Sequence, residues 1–192
     1  MSLLGMIWFV QAVVAAGGRY LEAPVLGSVD AAQSRQLIIM AAGNPALFDE
    51  VQHAFDAIST KSYFYGETGN ASKMKLVINT MIVGVTASLS ESMALAKKCG
   101  VSQQQLHEVL DFGPLGSRQI RNKGLAILEG KYSAAFTVDL MQKDMRLALA
   151  LAKEHKQKMP ITSASTELLQ QLQRQGDGNL DYAAMYKILS KP

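Results

Sequence analysis

Three short segments of this chain carry residue types whose spacing could do chemistry. The first is Gly66-x-x-Gly69-Asn70-Ala71-Ser72-Lys73. Its glycines let backbone approach a ligand closely, and the helix that follows offers an N-terminus favourable to anions. Lys73 falls in the first turn of that helix, where the dipole disfavours a cation. A lysine under that tension suits the role of proton donor. The plain alternative is a surface lysine on a long helix. The second segment is GKYSAAFTVDLMQKDMRLALALAKEH, residues 130–155. Phe136 precedes a helix cap there, and Lys143 and Asp144 follow within two turns. A phenyl ring can shield a site from water, and a Lys/Asp pair can bind polar ligand groups. Equally, Phe136 could be a hydrophobic staple and the pair a solvated surface. The third is EAPVLGS, Glu22 to Ser28, a strand running into a turn. There Gly27 and Ser28 could present backbone N–H groups to a carboxylate.

Other chemistries find no footing. A single cysteine, Cys99, leaves no Cys-based metal cluster and no intrachain disulfide. His53, His107 and His155 have no metal-ligand spacing, so no metal site is expected. A net charge of +3 over 192 residues is too small to imply nucleic acid. The charge is uneven: residues 1–60 carry two Arg/Lys against five Asp/Glu, and residues 61–192 carry seventeen against eleven. The second part could attract an anionic ligand, although dispersed lysines on helices usually form a solvated face.

The elements that must position these residues fall into two kinds. Tyr20 to Val25 reads as a strand ending in a turn at Leu26, Gly27 and Ser28. Gln36 to Ala42, QLIIMAA, reads as a strand covered on both faces. Pro45 to Ile58 reads as a helix capped by Asn44, and Lys61 to Gly66 as an aromatic strand. From Ala71 to Lys98 the apolar period changes to that of a helix, capped by Asn70 and stopped by Gly100. Its apolar residues Ile78, Met81, Ile82, Val85 and Leu89 occupy more than one stripe, which predicts burial nearly all round. Ser102 with Gln105 caps a helix to about Leu110. FGPLGS, residues 112–117, breaks the chain before a helix at Arg118 to Leu128. Asp139 with Gln142 opens a helix to about Lys156, Pro160 opens the next, and Asp181 starts the last. Residues 1–18 carry no charged side chain. They are too short for a membrane span and lack the basic start of a signal peptide, and read as a buried helix or as part of a longer chain; the small residues of the A-A-G-G end keep a cleaved signal or an anchor as the alternative. A long helix between an α/β piece and an all-α piece places a ligand cleft at their junction.

Taken together, the three segments resemble the β-hydroxyacid dehydrogenases, in particular the branch of glyoxylate and succinic semialdehyde reductases with the related domain of an animal nuclear protein. EAPVLGS matches the family's substrate segment, Gly66 to Lys73 its G-x-x-G-x-x-x-K segment, and Phe136 with Gln142 to Ala148 its F-x(7)-D and Q-K-D-M/L-R-L-A segments. The motifs span about residues 17–190.

The resemblance implies a fold: an α/β remnant of a Rossmann domain (19–67) after an atypical apolar N-terminus (1–18), joined by the long helix to an all-α dehydrogenase domain (68–190). It implies NADP, or NAD, as cofactor and a small aldehyde or 2-oxo acid as substrate. Lys73 takes the role of general acid. Gly27, Ser28, Phe136 and Asp144 line the substrate, and Lys143 with Phe136 lies by the nicotinamide. It implies a homodimer or homotetramer without nucleic-acid or membrane contact, in the cytoplasm, with nucleus or organelle open.

Two positions depart from the pattern: Leu26 stands where a substrate-binding Ser is usual, and Leu76 and Val77 stand where an Asn follows the catalytic Lys. Asn79 comes six residues after Lys73, roughly 120° around the helix. No G-x-G-x-x-G occurs in the 192 residues. The chain therefore reads as a truncated, inactive member of the family, with a non-catalytic helical oligomerisation module as the rival reading.

Overall fold

The computed structural model of the chain describes residues 3–191. It divides into two compact parts, one up to Ile78 and one from Asn79.

The first part opens with α1 (Leu3–Ala15). The expectation of a buried helix here is corrected by Phe9 and Val14, both exposed. The Phe9 ring meets Tyr20 edge-on at 5.9 Å. The expected strand over Tyr20 to Val25 is two short ones, β1 (Leu21–Glu22) and β2 (Val25–Leu26). Ala23 and Pro24 separate them, since proline has no N–H to give a ladder. After α2 (Val29–Gln33) comes β3 (Leu37–Gly43), the run of apolar residues covered on both faces. Both β1 and β2 pair antiparallel with β3. The helix expected over Pro45 to Ile58 is interrupted at Val51 (φ −92°, ψ 3°), giving α3 (Pro45–Glu50) and α4 (Gln52–Ile58). These two form the crossover that a parallel pair requires, delivering β4 (Ser59–Phe64) alongside β3. The core is small: Met40, Ala42 and Ala71, backed by Leu26, Tyr65, Met74 and Ile78.

Helix α5 (Asn70–Lys98) has 29 residues, and the boundary between the two parts falls inside it. Among the described residues it is the helix long and apolar enough to cross a membrane by length and composition. One face of it is nevertheless core: Val83, Thr86, Ala87, Ser90, Met93 and Ala94 are buried. The opposite face is not. Met81 is 70% exposed and Leu95 64%, so the expected burial nearly all round is absent.

The second part continues with α6 (Gln103–Phe112), α7 (Arg118–Glu129), α8 (Val138–Glu154) and α9 (Pro160–Arg174). A 3-10 turn (Tyr182–Ala184) and α10 (Met185–Leu189) close it. Side-chain caps start these helices where the sequence offers them. Ser102 accepts from the Gln105 N–H at 3.2 Å and Ser117 from Ile120 at 3.2 Å. Helix α8 corrects the expected cap. Thr137, not Asp139, is the capping residue, its hydroxyl accepting from Leu140 N–H at 3.2 Å. Two core clusters fill the bundle. One gathers Val83, Val138, Met141, Met145, Leu169 and Met185, the other Leu89, Met93, Ile120 and Ile127.

Candidate active-site residues

The chemistry-bearing residues of the α/β part are organised by one buried carboxylate. Glu22, at the end of β1, is 3% exposed. Its Oε2 accepts from the Gly69 N–H at 2.6 Å and its Oε1 from the Ser72 N–H at 2.7 Å. The carboxylate thus satisfies two N–H groups at the start of α5 and places negative charge at the positive end of the helix dipole. Gly69 holds φ +100°, a conformation that favours glycine, so the turn can present its N–H this way. Asn70 is the first residue of α5 rather than its cap. Its Nδ2 donates to the Tyr65 carbonyl at 3.0 Å, and its Oδ1 lies 3.5 Å from Lys73 Nζ. Lys73 is half-buried in the first turn, with Glu22 and Asn70 around that helix start.

Gly27 holds φ +140°, and a Cβ there would stand 2.7 Å from Leu37 Cδ2 and 2.9 Å from the Ala31 Cβ. Only glycine fits. Ser28 precedes α2, and its hydroxyl makes no capping bond to that helix. Leu26 is tied into β2 opposite Ile38.

In the helical part, Phe136, Lys143 and Asp144 are arranged by α8 and the loop before it. Asp144 is 5% exposed. Its Oδ2 accepts from Asn79 Nδ2 at 2.8 Å, and its Oδ1 pairs with Lys143 Nζ at 2.9 Å. Burial of this carboxylate is tolerated because both oxygens are engaged. Lys143 is about half exposed, with its ammonium on the solvent side of the pair. Asn79 was visible in the sequence as an out-of-register asparagine; its role as the partner of Asp144 was not.

Phe136 is held by a second buried carboxylate. Asp181 accepts from the Ala135 and Phe136 N–H groups at 3.2 Å each and from Ala183 N–H at 2.9 Å. Lys123 Nζ lies 2.8 Å from both Asp181 oxygens and 4.1 Å from the Tyr182 ring centroid. The Tyr182 ring in turn meets Phe136 edge-on at 6.2 Å. Burial pushes the Tyr182 hydroxyl up to about 12, against the opposing effect of its hydrogen bonds with Gln119 and Thr86. The signal for Lys123 was present in the sequence. It lies in the apolar stripe Ile120, Gly124, Ile127 of an otherwise polar helix, a place where a lysine must be paired.

Comparison with known proteins identifies the family. Residues 69–189 match the family model for the NAD-binding region of NADP-dependent 3-hydroxyisobutyrate dehydrogenase. Residues 7–66 match that for the NAD-binding domain of 6-phosphogluconate dehydrogenase, a match that reaches into α1. The chain is 42% identical over 177 residues to the cytokine-like nuclear factor N-PAC of Anopheles gambiae, covering 92% of this chain and 31% of that protein. It is 39% identical over 175 residues to glyoxylate/succinic semialdehyde reductase 1 of Arabidopsis thaliana, covering 91% of this chain and 61% of the reductase. Among solved structures, the 3-hydroxyisobutyrate dehydrogenase of Salmonella typhimurium superposes with a TM-score of 0.88 at 26% identity, over 94% of this chain and 64% of that one.

The chain belongs to the 3-hydroxyisobutyrate dehydrogenase-related family of NAD(P)-dependent β-hydroxyacid dehydrogenases. It spans about three fifths of the plant reductase and about a third of the nuclear factor.

The residues present fit the family's cofactor only in part. A pyrophosphate seat needs a glycine-rich turn opening a helix after a strand. The helix that follows β3 opens instead with Asn44-Pro45, and Asn44 Oδ1 already accepts from Leu47 N–H at 2.9 Å. Lys143 offers a cation, paired here with Asp144, and Phe136 an aromatic ring, and neither supplies such a turn.

Proposed function

We propose that this chain carries the substrate-handling share of an NADP(H)-dependent reductase of small aldehydes or 2-oxo acids, such as glyoxylate or succinic semialdehyde. The observation that carries this reading is the 39% identity with a glyoxylate/succinic semialdehyde reductase, and the Gly66 to Lys73 segment that resembles the family's G-x-x-G-x-x-x-K motif supports Lys73 as general acid. When bound, the family's nicotinamide cofactor would supply a hydride to the carbonyl carbon. Lys73 Nζ then donates a proton to the oxygen that has become an alkoxide. Gly27 and Ser28 hold the acid group of the substrate, next to Leu26 at the position where the family usually has Ser. Phe136 would keep water away, and Lys143 with Asp144 would offer the cofactor a fixed charge pair. A pair already ordered by Asn79 needs no rearrangement as charge develops.

The same reading makes the 192-residue chain by itself negligibly active. One or two contacts at the nicotinamide end, worth ~1–3 kcal/mol if charge-assisted, do not replace a dinucleotide site. The test is a fusion that restores the nucleotide-binding domain of a close relative ahead of this chain. Glyoxylate-dependent NADPH oxidation should appear in the fusion, and Lys73→Ala should remove most of kcat while leaving NADPH affinity nearly unchanged. A fusion indifferent to Lys73→Ala would refute the general-acid assignment.

A further inference from the structure

The segment from Lys131 to Phe136 has no regular structure, and residues 133–135 are exposed. Hydrogen bonds to the turn at 181–182 hold it. The Asp181 N–H donates to the Tyr132 carbonyl at 2.9 Å, and the Tyr182 N–H to the Phe136 carbonyl at 3.2 Å. In return Asp181 Oδ2 accepts from the Ala135 and Phe136 N–H groups. Phe136 is thus held by both its N–H and its carbonyl. Two residues of α7, one helical turn apart, grip the 181–182 turn from the other side. Gln119 Nε2 donates to the Tyr182 hydroxyl at 2.6 Å and to Thr86 Oγ1 of α5 at 2.8 Å. Lys123 gives its ammonium to both Asp181 oxygens and lies over the face of the Tyr182 ring.

We infer that Lys123 is a positioning residue for the reaction: through Asp181 and the Tyr182 ring it fixes where the Phe136 ring stands at the substrate. The inference rests on the catalytic reading for what Phe136 does there. Lys123 is 8% exposed and Asp181 2%. A buried ion pair is a weak device for stability alone, and packed apolar residues would hold α7 against the turn equally well. An apolar residue at 123 would not, however, supply the counter-charge to a carboxylate that already takes the N–H groups of Ala135, Phe136 and Ala183. Both contacts of Lys123 also lead to the same ring. Asp181 binds the Phe136 N–H, and the Tyr182 ring meets Phe136 edge-on. Loss of the ammonium releases both at once. A displacement of about 1 Å at a reacting centre is enough to cost much of the rate.

Fluorine NMR of the 192-residue chain carrying 4-fluorophenylalanine reads the ring directly. The chain has six phenylalanines, and the Phe136 line is identified by its loss in Phe136→Leu. Lys123→Met should move that line and leave the others in place. Lys123→Arg, which offers the carboxylate a two-pronged donor, should restore it. In the fusion carrying a relative's nucleotide-binding domain, Lys123→Met should lower kcat/KM for glyoxylate by about tenfold or more, with NADPH affinity nearly unchanged. Lys123→Arg should recover most of that loss. Added to Phe136→Ala, Lys123→Met should lower kcat/KM little further, because both act on one ring. If Lys123→Met unfolds the chain, all the fluorine lines collapse together, and Lys123→Gln, which still donates to one Asp181 oxygen, takes its place. A Phe136 line that stays put in the folded variant, or losses that add in the double variant, would overturn the inference. A fusion inactive with Lys123 in place overturns the catalytic reading instead, and the Phe136 line then decides on Lys123 by itself.

Discussion

The two parts of this molecule hold their candidate site residues by different means. In the α/β part, Lys73 rides on a helix start fixed by a single carboxylate, Glu22, acting on backbone N–H groups over a small cluster of Met40, Ala42 and Ala71. In the helical part, Phe136 and Asp144 stand on a large core, and a buried Lys123–Asp181 pair pins the loop before α8. The difference teaches where each half is vulnerable. The first depends on a few directed hydrogen bonds, the second on packing and on one desolvated ion pair.

The comparison can be broken most severely at Lys123. Lys123→Met leaves Asp181 buried without its counter-charge and should cost about 3–5 kcal/mol in urea unfolding of the helical part. A loss below about 1 kcal/mol, the scale of a surface pair, would show that the pair is not what pins the loop. Paired core truncations come next. Met145→Ala should cost about 2–5 kcal/mol and lower the main unfolding transition. Met40→Ala should instead speed amide hydrogen exchange in β3 while leaving α8 and α9 protected. Equal effects on both parts would mean that they unfold as one unit.

A smaller effect is expected in alkali. The Tyr182 hydroxyl titrates near 12 in the fold against 10.0 ordinarily, so folding favours its neutral form. The stabilisation is fully present below pH 10 and lost as pH rises through 12, amounting to roughly 2–3 kcal/mol. Absorbance titration should show Tyr182 ionising late together with Tyr132, whose hydroxyl burial also pushes up to about 12, and Tyr182→Phe should remove about half of that late step. The mildest change is Glu22→Gln, which keeps shape but removes the charge from two hydrogen bonds, for about 1–3 kcal/mol. Faster hydrogen exchange at the Gly69 and Ser72 amides, with unchanged exchange in α8, is the expected reading.

Much of this arrangement was legible in the sequence because it is local. The caps Asn44 and Ser102 and the start of the last segment at Asp181 are set within a few residues, and the apolar run of β3 shows its burial directly. What was missed is long-range. Glu22 reaches Gly69 and Ser72 from 47 and 50 residues away. Asp139 and Thr137 are both competent caps. The choice is made by the loop at 178–181, whose Gly178 and Leu180 carbonyls take the Asp139 and Val138 N–H groups at 3.1 and 2.8 Å. The buried face of α5 was misjudged for a related reason. Thr86 and Ser90 fold back onto the Ile82 and Thr86 carbonyls at 3.1 and 2.8 Å, so hydroxyls sit in the core while Met81 stays outside. The site motifs themselves were readable, but the Asn79–Asp144 bond joins residues 65 apart and leaves no local trace.

The proposed function assigns proton donation to Lys73 and substrate contact to Gly27, Ser28, Phe136 and Asp144, while the helix that follows β3 opens on Asn44-Pro45 and not on the glycine-rich turn of a pyrophosphate seat. Calorimetric titration of the 192-residue chain with NADPH, with the oxidation rate followed in glyoxylate, tests it most directly. No binding at micromolar NADPH and no oxidation above background are expected. Micromolar affinity with measurable oxidation by the chain alone would contradict it.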